Sequence, residues 1–272
     1  MDTHKPRPEH HFTIEVLNFP NSKNYVNVSY VLTLKNSKRR EKFIKELEYF
    51  SPSQKVIIMY SERYKETKRE LAERTPGFDI RFSHIAAAQY AKDSAPDQNI
   101  MIFEDDFFWN RDEDLDKRFW EIMHFINIDK NNVFHYYVGG IPYPSIRNVG
   151  ILLGKHVRGP IVACHAVIHT PRGIDRTLEL EPSGFKKHPD EGPTRFPDAF
   201  YCQVSHYYYK PLAYQLFPGT ANQDISWKKH VVIGMKLLRL DKQAQPGYNI
   251  IYYASVLILT LILAIIYYIM KK

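Results

Sequence analysis

Short apolar runs alternate with longer stretches of helical periodicity over the first half of the chain. Residues 1–24 are polar and proline-rich and predict a flexible arm. Val28–Leu34, VSYVLTL, reads as a strand. Lys35-Asn36-Ser37 is a turn, with Ser37 placed to cap a helix over Ser37–Phe50, where Phe43, Ile44, Leu47 and Phe50 recur at helical spacing. Lys55–Tyr60 is a second strand. Glu62–Arg74 reads as a charged helix, and Phe82–Lys92 as another with Ser83 and His84 at its start. Ile100–Phe103 is a strand, Leu115–Ile126 a helix and Val133–Val138 a strand. Gly139–Pro160 is rich in turn residues and predicts a loop. Ile161–His169 reads as one strand, and Thr170-Pro171 opens a helix. Leu180–Pro197 is a second loop. Asp198–Tyr209 reads as a helix and Leu212–Leu216 as a short strand. Strands alternating with helices predict an α/β domain, a mainly parallel sheet with helices outside it.

The C-terminal pattern is different in kind. Ile250–Met270 carries no charge and matches the roughly 30 Å hydrocarbon thickness of a bilayer as a helix. Tyr248, Tyr252, Tyr253, Tyr267 and Tyr268 cluster near its ends, as in an interfacial belt. The resulting division is an arm (1–24), a folded domain (25–227), a basic juxtamembrane linker (228–248) and a transmembrane helix (249–270). Lys228, Lys229, Lys236, Arg239 and Lys242 outnumber Lys271 and Lys272, which places the domain on the cytosolic side. The N-terminus has no apolar signal region.

Composition narrows the classes. The chain has 272 residues, a net charge of +7, 44% hydrophobic and 25% charged residues. These are globular proportions. Cys164 and Cys202 do not make a disulfide framework. The positive excess suits a membrane surface, nucleotide phosphates or a sulfated glycosaminoglycan. No nucleic-acid module or compact basic run is present. No G-x-x-x-x-G-K, HExxH, CxxC or G-x-S-x-G occurs, so P-loop, zinc and serine-hydrolase classes lose ground.

The chemistry concentrates where the strand Ile100–Phe103 meets Glu104-Asp105-Asp106. Ligands of open α/β sheets bind beyond the carboxyl ends of strands. Carboxylates there can hold Mg²⁺ or Mn²⁺, and through it a diphosphate. The other reading is an acidic loop capping the next helix.

Four blocks, in order, resemble glycosyltransferase family 25, the lipopolysaccharide and collagen galactosyltransferases. They are Tyr30–Leu47 (YVLTLKNSKRREKFIKEL); Ser83-His84-Ile85 with Ile100–Asp106; Cys164–Gly173 (CHAVIHTPRG); and Pro197–Gln215 (PDAFYCQVSHYYYKPLAYQ) with Gln223-Asp224-Ile225. The resemblance implies a GT-A-like nucleotide-binding domain. It implies transfer of a hexose from a nucleoside-diphosphate sugar, a UDP-sugar, to a glycan, lipid or protein acceptor. Glu104 and Asp106 are then the metal ligands, with Asp105 toward the ribose or sugar. His165 is either a third ligand or a core histidine. Asp198 is either the general base or a helix N-cap, with Asp190 and Glu191 as alternatives. Arg39 and Arg40 are candidates for the phosphates, Ser83 and His84 for a polar ligand at a helix start, and Gln223 and Asp224 for closing the site. Tyr207–Tyr209 is a candidate platform for a sugar ring. His169 stands where the family has a small hydroxyl residue. The architecture is also similar to poxvirus tail-anchored, heparan-sulfate-binding envelope proteins with a glycosyltransferase fold, which implies glycosaminoglycan binding without catalysis by a domain exposed on a virion surface.

Overall fold

Both faces of the central strands are apolar because both faces are covered. The computed structural model describes residues 12–61, 76–142, 154–159, 161–163, 165–179, 205–215, 233–234, 236–240 and 242–271. Three parallel neighbours form the heart of the sheet: β2 (Val28–Leu34), β3 (Lys55–Ser61) and β4 (Ile100–Glu104). Side chains alternate between faces along a strand. Val31, Val56, Ile58, Met101 and Phe103 therefore pack against α1 (Arg40–Tyr49) and α3 (Leu115–Ile128). Tyr30, Leu32, Ile57, Met59, Ile100 and Ile102 pack against α2 (Pro76–Ser94), through Ala86, Ala87, Ala88 and Ala91, and against Ile174 of α4 (Pro171–Leu178). Small residues on α2 bring it close to the sheet. This three-layer arrangement explains why these strands read as continuous apolar runs rather than alternating ones.

The sheet has eight strands in the order β1-β3-β2-β4-β10-β6-β11-β8. β1 is Phe12–Asn18, β6 His135–Tyr137, β8 His156–Gly159, β10 Ala166–His169 and β11 Ser205–Tyr208. β10 lies antiparallel to both β4 and β6, β11 lies parallel to β6, and β1 and β8 form antiparallel edges. The sheet is thus mixed, with β2, β3, β4, β6 and β11 running one way and β1, β8 and β10 the other. Two small ribbons complete it: β5 (Phe107–Trp109) with β12 (Ala213–Gln215), and β7 (Ile141–Pro142) with β9 (Ile161–Val162).

Several local expectations are corrected. Phe12–Asn18 is an edge strand within the expected arm, because FTIEVLN alternates and sets Phe12 into the core. Ser83 and His84 lie inside α2, well past its first turn, so Ser83 is not an N-cap. Ser37 does not cap α1 either; Arg39 holds that position without a side-chain bond. The run Ile161–His169 breaks into β9 and β10 around Ala163, whose φ of 72° is left-handed. Ser205–Tyr208 is a strand, because all four residues are buried between β6 and β8. Thr170 does cap α4, its side chain accepting from Gly173 N. The expected helix Glu62–Arg74 and the 180–197 loop lie outside the described residues, as does Cys164.

The final helix, α5 (Ala244–Lys271), is the one described helix long and apolar enough to cross a membrane. Its first half packs on the domain through Ala244, Gly247, Tyr248, Tyr252 and Leu259.

Candidate functional site

The acids arise where β4 leaves the sheet. Leu32 of β2 pairs with Glu104, and Glu104 N donates to the His165 carbonyl at 3.1 Å. Asp105 and Asp106 then form a tight turn into β5. Register between β5 and β12 sets Gln215 opposite Phe107. From there Gln215 Nε2 donates to Asp106 Oδ2 at 3.2 Å.

The three acids meet different surroundings. Asp105 is tied into the scaffold: Thr33 Oγ1 and Ser37 Oγ each donate to its Oδ2 at 2.6 Å, and Arg39 Nη1 donates to its Oδ1 at 2.7 Å. The same Arg39 Nη1 lies 3.6 Å from Asp106 Oδ2. Asp106 is buried, and its Oδ1 has no hydrogen-bond partner among the described residues. Burial pushes its carboxyl well above the ordinary carboxylate range, and Glu104 and Asp105 push the same way against the pull of Arg39. Glu104 is half-buried, with Oε1 3.6 Å from Nε2 of the buried His84.

His165 closes the group from β10's end. It is fully buried, and its Nε2 lies 3.3 Å from the Ala213 carbonyl. A carbonyl only accepts, so Nε2 carries the proton and Nδ1 presents a lone pair. That Nδ1 has no partner among the described residues. Burial lowers the ring's pKa to about 4, partly offset by the Ala213 bond and by Glu104. The glycine at 139 is required here. A Cβ would collide with the Ala213 carbonyl and the His165 ring.

The donor chemistry fits a hard divalent cation in part. Asp106 Oδ1 and His165 Nδ1 are buried ligand atoms lacking partners among the described residues, and a ring N–H bound to a carbonyl is how metal-bound histidines are oriented. Glu104 bears electrostatically on both. Among the described residues, however, no three His, Cys, Asp or Glu side chains are arranged as a metal-binding group. Arg39 supplies the local positive charge instead. A cation would have to take over its contact with Asp106.

The structure thus gathers Glu104, Asp105, Asp106, Arg39, His84 and His165 around one strand end. Arg40 turns away: it pairs with Glu15 and donates to the Tyr60 hydroxyl at 3.0 Å. Ser83 is buried one residue before His84. Tyr207 and Tyr208 are core residues, with the Tyr208 hydroxyl donating to Glu121 at 2.6 Å. Asp190, Glu191, Asp198, Gln223 and Asp224 lie outside the described residues. Thr33, Gln215 and Gly139 are not singled out by the sequence, and Ser37 is marked there only as a helix cap. Only Thr33, one strand over from Glu104, carried a usable signal: a hydroxyl near the end of an apolar strand.

No protein-family model matches the chain, and no curated protein matches it.

Proposed function

We propose that the chain is a membrane-tethered glycosyltransferase-like protein of GT-A type that takes a nucleoside-diphosphate sugar at the β4 end. The observation behind this reading is Asp106: a buried carboxylate beside Glu104, with one oxygen that has no partner among the described residues, while Glu104 in turn bears on His165, whose Nδ1 is likewise unpartnered among them. Leaving such a group without a cation is costly, which is the signature of a site kept for a ligand. Glu104, Asp106 and His165 would hold Mn²⁺ or Mg²⁺. An imidazole in the set favours Mn²⁺. The metal's contribution, when bound, is to neutralise the departing diphosphate. Arg39, freed from Asp106, would supply a cation for those phosphates, held by Asp105, which Thr33 and Ser37 anchor in turn. Asp198 is the proposed base. In an inverting transfer it takes the acceptor hydroxyl's proton as that oxygen attacks the anomeric carbon and the diphosphate leaves.

The test is the thermal midpoint of the full-length protein in detergent, with UDP-sugars, with and without Mn²⁺. A metal-dependent rise that Asp106→Asn loses supports the reading. No shift with any donor overturns it.

One observation favours a second reading. Arg39 already sits where the cation would act, 2.7 Å from Asp105 and 3.6 Å from Asp106. An acid cluster neutralised from within suits a retained fold without catalysis. The net charge of +7 would then serve binding of a sulfated glycosaminoglycan. Salt-sensitive heparin binding that survives Asp106→Asn is the result expected of that reading.

A further inference from the structure

The helix α5 is too deeply committed to the domain to cross a bilayer as it stands. Its buried positions, Ala244, Tyr248, Tyr252 and Leu259, fall on one stripe. Tyr252 and Leu259 share a cluster with Tyr137, Val157, Ile161, Val167 and Tyr207 of the domain. From Leu259 the apolar run continues only to Met270, before the charged Lys271-Lys272, and at about 1.5 Å per residue that stretch reaches only about 17 Å. The hydrocarbon core needs about 30 Å. A span of that length must therefore begin near Ile250, which sets Leu259 roughly 13 Å deep.

The domain cannot follow the helix to that depth. Val157, which packs in the helix cluster, is flanked on β8 by the half-buried His156 and the exposed Arg158, with exposed Lys155 just before it. Basic side chains at the bilayer centre cost about 2.5–3.5 kcal/mol each even on the mildest scale. Nor is the docked helix content in water. Leu257, Ile258, Leu261, Ile262, Ile265 and Ile266 are all exposed along it.

On the reading of α5 as a membrane span, we propose that the helix has two alternative seats. In one it lies on the sheet end formed by β8, β9 and β11, which acts as a receptor for the chain's own tail. In the other the part from Tyr252 onward has left that surface and entered lipid. The contact is built to be left. Tyr207 and Tyr252 hydroxyls are both buried within it without a hydrogen-bond partner among the described residues. Opening returns Tyr207 to water and gives Tyr252 the interfacial level that tyrosines favour. The helix start need not move. Asn249 accepts from the Tyr214 hydroxyl at 2.5 Å, and Gln245 donates to Asn110. These polar contacts belong at the membrane surface.

The test places a ketone-reactive nitroxide on p-acetylphenylalanine at position 258 or 158 of the full chain. Ile258 and Arg158 are both exposed, so neither label enters the core. The protein is reconstituted in phosphatidylcholine–phosphatidylserine vesicles. Collision with oxygen is compared with collision with a water-soluble nickel chelate. The expected result is oxygen-dominated collision at 258 and nickel-dominated collision at 158. Oxygen-dominated collision at both sites means that the docked unit embeds whole, which overturns the proposal while keeping the span. Nickel-dominated collision at both means that the helix does not insert, and the spanning reading falls with it.

Discussion

Two adjacent carboxylates, Asp105 and Asp106, carry opposite stability consequences. Asp105 accepts from Thr33, Ser37 and Arg39, and removing it strands a guanidinium whose side chain is only 19% exposed. Breaking one partner of such a network costs more than the network is worth intact. Asp105→Ala is expected to lower unfolding free energy by about 2–4 kcal/mol in denaturant titration. Asp106 is buried beside Glu104 with an oxygen that has no partner among the described residues, and its carboxyl is held toward the neutral form. Asp106→Asn removes that strain while keeping shape and the Gln215 neighbour. Its expected effect is unchanged or higher stability, together with loss of any metal-dependent donor binding. A loss of stability equal to that of Asp105→Ala would show that Asp106 is a structural acid. The sequence drew attention to both acids alike. The difference between them lies in Thr33, Ser37 and Arg39, which only the pairing of β2 with β4 and the turn into α1 bring to one place.

At the scale of elements, α4 shows what local chemistry can specify. Thr170 accepts from Gly173 N at 3.1 Å and donates to the Val133 carbonyl at 2.8 Å, so it caps the helix and ties it to the end of α3's return loop. Gly173 then lies so close to β6 that a Cβ would strike the Phe134 carbonyl. Thr170→Ala is expected to cost about 1–2 kcal/mol. Gly173→Ala should cost more, because backbone rather than a flexible side chain must give. Thermal midpoints of the two variants check the order. If Gly173→Ala were the milder, the close packing of α4 on β6 would be refuted. Thr-Pro announced this helix because capping is read from neighbours in sequence. The strand at Ser205–Tyr208 gave no such notice. SHYY carries no apolar–polar alternation, since both its faces are covered, by α3 residues such as Glu121 and Phe125 and by the α5 cluster. The edge strand Phe12–Asn18 does alternate, but its neighbours in the chain are polar enough to mask it. The mixed order of the sheet was equally hidden. Alternating elements predict parallel units, and they held for β2, β3 and β4, while β10 entered the sheet antiparallel between β4 and β6 through contacts far apart in sequence.

At the scale of the molecule, the domain is built around neutral histidines. His135, His156, His165 and His206 each have their pKa lowered from 6.5 to about 4, chiefly by burial, and His169 is driven well below 6.5 for the same reason. Above about pH 6.5 these rings are neutral folded or unfolded and do not affect the balance. As pH falls through 6.5 the unfolded chain takes up protons that the folded chain refuses. Stability is therefore full above that value and drains away down to about pH 4, where the folded rings begin to titrate. Each such ring contributes a slope of up to about 1.4 kcal/mol per pH unit. Asp106 acts in the opposite sense. Its raised pKa makes the folded state the better proton acceptor, so falling pH relieves it. One carboxyl against five imidazoles leaves the histidines in control. Denaturant unfolding of the full chain in detergent is expected to show a plateau near pH 7 and a steep fall between pH 6.5 and 4. His206 packs against Phe125 with ring centroids 5.6 Å apart, and His206→Phe keeps that contact while removing one proton site. That variant should show a shallower fall by about one ring's share, and Asp106→Asn a steeper one. A pH profile that neither substitution moves would mean that the acid sensitivity comes from the surface ion pairs instead.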